Sequence, residues 1–105
     1  MTLLSDVLPE FAVELAQLLM EAGEDHLARQ VPALKIVDRC RCGDDFCGTF
    51  YTQPKPHGSY GAGHRNVVLE PLRGMIILDA VDGTIACVEV LYRDEVGRDL
   101  IEALP

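Results

Sequence analysis

Three of the four cysteines of this chain lie within one short stretch, Cys40-Arg41-Cys42-Gly43-Asp44-Asp45-Phe46-Cys47. Thiols placed so closely can fill a core, hold a metal ion or exchange electrons. Gly43-Asp44-Asp45-Phe46 reads as a tight turn joining strands at residues 34–42 and 47–52. Side chains alternate along a strand, so Ile36, Cys40, Cys42, Cys47, Thr49 and Tyr51 share one face, and Val37, Arg39, Arg41 and Phe50 the other. The cysteine face carries less charge, and the leading expectation is that its thiols point inward as small apolar fillers.

Zinc is the alternative, with Cys40, Cys42 and Cys47 as three ligands and His57, His64 or Cys87 as a fourth. The spacing opposes it. In an extended strand the Cα atoms of Cys40 and Cys42 stand roughly 7 Å apart, whereas two sulfurs on one zinc approach to about 4 Å. Only a distorted strand end would bring them together. Thiol redox chemistry is a third reading, because Cys42 faces Cys47 across the turn. Against it, Arg39 and Arg41 point away and no helix starts after the cysteines to depress a thiol pKa. Cys87, in Ile85-Ala86-Cys87-Val88, reads as packing.

The segment from Pro54 to Arg65 is the second place where chemistry could sit. Lys55, His57, His64 and Arg65 surround three glycines whose amides could cradle an anion. The segment lacks the preceding strand and following helix of the known phosphate loops, and Ser59 has no third group to complete a triad. Its plain reading is a connection. Asp79, Asp82 and Glu89 suggest paired carboxylates, but Asp82 is better explained as a turn residue and the other two as surface.

These groups need elements to hold them. Leu8, Phe11, Leu15, Leu18, Leu19 and Ala22 recur at helical spacing, with Ser5 as N-cap and Gly23 as C-cap. A second helix covers residues 24–30 and ends ahead of Pro32. Strands follow at 65–70, 75–81 and 84–92, the last two joined by Asp82-Gly83, a two-residue hairpin signal. Met75-Ile76-Ile77-Leu78 is apolar on both faces, which predicts a central strand covered on both sides. Residues 93–104 form a closing helix with Val96, Leu100 and Leu104 inward. The predicted fold is a single α+β domain: an N-terminal helical hairpin, a five-stranded antiparallel meander and a C-terminal helix. A bent barrel of the Sm or SH3 kind is the alternative.

The 105 residues carry a net charge of −8, which argues against nucleic acid and anionic membranes as partners. Basic residues gather in the middle, where Lys35, Arg39, Arg41, Lys55 and Arg65 outnumber Asp38, Asp44 and Asp45. No apolar run is long enough for a membrane span and the start lacks a basic signal region, so a cytoplasmic protein with reduced thiols is expected.

The segment Cys-x-Cys-Gly-x-x-x-Cys-x-Thr-Phe-Tyr at 40–51, with Arg65-Asn66-Val67 and Val81-Asp82-Gly83, resembles a group of short bacterial proteins with no assigned activity. The resemblance implies a bacterial cytosolic protein of small α+β fold and carries over no cofactor or catalytic residue. The functional expectation is a non-enzymatic domain that binds a protein partner or itself. The alternative is a zinc-binding or thiol-responsive module built on Cys40, Cys42 and Cys47.

Overall fold

The computed structural model describes residues 2–105. A single turn, α1 (Leu4–Val7), leads into α2 (Pro9–Glu21), and α3 (Asp25–Ala28) and a 3-10 turn (Val31–Ala33) follow. The main helix starts at Pro9 rather than near Ser5, because proline fits the first helical position, where no amide partner is required. It ends as expected at Gly23. There the amide of Glu24 donates to Leu19 O and that of Gly23 to Met20 O, a closure that needs the left-handed φ of 79°.

Five antiparallel strands form one sheet: β1 (Asp38–Arg39), β2 (Phe50–Tyr51), β3 (His64–Leu69), β4 (Met75–Val81) and β5 (Thr84–Leu91), with α4 (Asp94–Ala103) closing the chain. The α+β class is as expected. Strand order is β1-β2-β5-β4-β3, so a continuous meander is not formed. β1-β2 and β3-β4-β5 each run on consecutively, but Pro54 and Pro56 cannot donate to a ladder, and between these two groups the chain crosses from β2 to the far edge. β1 and β3 are the two edges, and among the described residues no pairing joins them into a barrel. Asp82 and Gly83 both take left-handed φ, 51° and 78°, in the expected hairpin turn.

The core lies between one face of the sheet and the helices. Phe50, Val67, Leu69, Ile76, Leu78, Val88 and Val90 meet Phe11, Leu15, Leu19 and Leu27. Phe11 packs edge-on against Phe50, ring centres 6.1 Å apart. The helices therefore cover one face only, and on the other face of β4 Met75 is exposed and Ile77 half-buried, so the expected cover on both sides is incomplete. A bulge fixes the alternation: Asp79 pairs with Cys87 but Ala80 with Ile85, leaving Ala86 unpaired. Arg93, only 6% exposed, ties α4 to α2 through Glu14 (2.7 and 2.9 Å) and also bonds Glu95.

Candidate metal centre

The thiol segment is not the regular hairpin that alternation predicts. β1 ends at Arg39 and β2 begins at Phe50, so Cys40, Cys42 and Cys47 all lie on the irregular connection. The face assignment is inverted as well. Phe50 is fully buried against the helices, which places its neighbours Thr49 and Tyr51 on the opposite side. Cys42 is exposed, and Cys40 and Cys47 are half-buried; the thiols are not core fillers. β1 stops at Arg39, so strand spacing does not govern Cys40 and Cys42, and Gly43, with φ 83°, turns the chain immediately after Cys42.

The three sulfurs lie within 4.8 Å of one another. Cys40 is fixed by its amide on Thr49 O (2.8 Å), as the hairpin register predicts, and Cys47 by its amide on Asp44 O (3.2 Å). Gly48 then donates to Val90 O (2.8 Å) and Tyr92 to Phe46 O (2.9 Å), seating the loop against the end of β5. From the other side α4 rests on it directly. A Cβ on Gly97 would stand 3.1 Å from Cys47 O, and one on Gly48 3.1 Å from Val96 Cγ1, so glycine at both positions lets loop and helix approach this closely. Arg39 and Arg41 reach away from the thiols to the carbonyls of Leu104 (2.6 Å) and Pro105 (3.2 Å), where α4 ends.

The electrostatics separate the three thiols. Burial pushes Cys40 up to about 11; the Cys42 amide opposes this, while hydrogen bonds with the Cys42 and Cys47 thiols and the charge of Cys47 add to it. Burial opposes ionisation of Cys47 too, but the amide and hydroxyl of Thr49 and the neighbouring thiols outweigh it and hold Cys47 below the ordinary thiol value. Cys47 is thus the more readily ionised of these two thiols. An open groove of about 590 Å³ adjoins the cluster, lined also by Asp44, Asp94 and Arg98.

The remaining expected site residues scatter. His57 is exposed on the loop and His64 lies on β3, the sheet edge farthest from β1; neither belongs to the thiol group. Arg65 forms a two-pronged pair with Glu24 (2.6 and 2.9 Å), whereas His64 turns to Asp79 (2.7 Å). Lys55 stands over the Tyr51 ring, 5.7 Å from its centre. The four proposed anion ligands Lys55, His57, His64 and Arg65 therefore do not converge. Cys87 is buried on β5, outside the thiol cluster, and burial beside Asp79 and Glu89 pushes it up to about 12.

Asp79 and Glu89, which the sequence suggests as paired carboxylates but better explains as surface residues, are not surface groups. Asp79 is 5% exposed, accepts from His64 and from Asn66 (2.7 Å), and adjoins Glu89. Its signal was present: a lone carboxylate inside the apolar strand Met75–Val81.

No helix among the described residues is long and apolar enough to cross a membrane. Compared with known proteins, the chain matches no family model, no curated sequence and no solved structure.

Proposed function

We propose that this is a small, non-enzymatic metal-binding domain in which Cys40, Cys42 and Cys47 hold one thiophilic divalent ion, zinc being the natural candidate. The observation that carries the reading is the gathering of three sulfurs within 4.8 Å on an irregular loop. Tetrahedral zinc with bonds of about 2.3 Å places its sulfurs roughly 3.8 Å apart, so only a small closure is required. A divalent ion would displace the thiol protons, since every thiol ligand binds as thiolate. The Thr49 and Cys42 amides that favour thiolates on Cys47 and Cys40 are the kind of supporting hydrogen bond that metal sulfurs receive.

Three protein ligands leave a fourth position open on the side of exposed Cys42. Water, Asp44 or Asp45 from the same loop, or a ligand from a partner chain could complete it. This keeps the domain in the class of binding modules, with a protein partner or a second copy as its counterpart. Free thiols of this kind require a reducing compartment, consistent with a bacterial cytoplasm.

Native mass spectrometry and metal analysis of protein purified under reducing conditions test the reading. One zinc per chain is expected, with loss of the ion in Cys42→Ser and in Cys47→Ser. A metal-free protein that takes up no added zinc would overturn it. The depressed Cys47 thiol beside Cys42 favours a second reading, a reversible Cys42–Cys47 disulfide. Rapid alkylation of Cys47 at neutral pH, without bound metal and with a disulfide formed by mild oxidant, would select it.

A further inference from the structure

The sheet face without helices carries a second cavity, of about 360 Å³. Asp79 of β4 and Glu89 of β5 form its floor, Tyr51 and Tyr60 its aromatic walls, and Lys55 stands at its rim. This volume is at the lower end of those that hold small ligands.

The floor is built rather than incidental. His64 Nε2 and Asn66 Nδ2 both donate to Asp79 Oδ1, each at 2.7 Å. Glu89 is pushed up to about 7, first by its hydrogen bond to Asp79, then by burial and by the Asp79 charge. Glu89 thus keeps its proton to higher pH than an ordinary carboxyl. A carboxylate this deep in a fold stays where a partner supports it, and the cavity leaves its second oxygen to Glu89 and to whatever enters.

The walls suit positive charge. Lys55 already places its ammonium on the Tyr51 ring, so this surface accepts a cation in the protein's own structure. The chain's net charge of −8 draws cations toward it. A bare metal ion is the poorer match, because among the described residues the ligand atoms here do not gather as the three sulfurs do.

We infer that this cavity binds a small organic cation, an alkylammonium or guanidinium group, whose N–H donors reach Asp79 and Glu89 while its body lies between Tyr51 and Tyr60. Lys55 occupies the Tyr51 ring in the free protein and gives way to the ligand. Entry of the cation displaces the proton held on Glu89. The other titratable groups facing the pair are His64, Cys87 and Cys40, with Lys55 and the two tyrosines.

The test is calorimetric and proton NMR titration of the reduced full chain with n-butylammonium and methylguanidinium, with n-butanol and butyrate as controls. Both cations should bind saturably at one site and shift the ring signals of Tyr51 and Tyr60; the controls should not. Affinity should fall about tenfold per pH unit below about pH 7, where a bound proton must leave. Asp79→Asn should weaken binding at least tenfold, Tyr60→Leu severalfold, and Lys55→Met should strengthen it. Circular dichroism checks that each variant is folded, and the comparison of butylammonium with butanol on the unaltered protein stands without any variant. Equal binding of butanol, absence of pH dependence, or an unaffected folded Asp79→Asn would overturn the inference.

Discussion

The two faces of the sheet use the same strands for opposite purposes. Toward the helices, Leu78 and Val88 are fully buried among aliphatic and aromatic side chains. One residue along, Asp79, Cys87 and Glu89 turn the other way and build a polar floor. Strand alternation thus lets each residue serve either stability or chemistry while its neighbour serves the other. The difference also shows in covering: helices seal the first face, and a proline- and glycine-rich loop roofs part of the second.

Breaking the helix-covered face should have the largest effect. Phe50→Ala removes the fully buried ring that meets Phe11 and should cost about 3–5 kcal/mol, measured by urea unfolding. A loss below about 1 kcal/mol would mean the core does not depend on this contact. A smaller effect is expected where α4 meets the thiol loop. Gly97→Ala brings a methyl group against Cys47 O, and the strain should outweigh the gain in helix propensity of about 1 kcal/mol. A net loss of about 1 kcal/mol, with weaker zinc retention, is the expected result. Unchanged metal affinity would show that the helix does not position Cys47.

The smallest effect, and the most specific to the helix-free face, is on pH dependence. Glu89 is raised from 4.5 to about 7 in the folded chain, so its contribution to stability is present below pH 4.5 and is lost as pH rises through about 7. Glu24, Asp38 and Glu95 act with the opposite sign, because Arg65, Arg41 and Arg93 hold their carboxyls below the usual range. Asp79→Asn removes the hydrogen-bonding carboxylate and its charge, and should move Glu89 back toward 4.5 and flatten the stability change between pH 4.5 and 7. A carbon-detected NMR titration of Glu89 reads this directly; an unmoved titration would show that burial alone raises it.

Much of the architecture was legible because it rests on local rules. Helical spacing from Phe11 to Leu19, the cap at Gly23 and the Asp82-Gly83 turn each need only a few residues to act. Strand order was not legible, since pairing β2 with β5 is a contact between distant segments. The three thiols that the structure gathers were legible as a group, but alternation put them on the wrong face. Alternation was extended through Cys40 and Cys42 although the strand stops at Arg39, and Phe50, the largest apolar residue there, marked the buried side. His64 was weighed for metal and anion binding, but its partner Asp79 sits fifteen residues away, across a strand pair.

β3 has a partner on one side only. Its outer row of amides and carbonyls begins with His64, Arg65 and Asn66, whose polarity discourages strand addition, but continues through Val67, Val68 and Leu69, with Val68 67% exposed. In concentrated solution this apolar half is the natural template for another chain's strand, so the molecule's colloidal behaviour depends on six residues that take no part in holding its thiols.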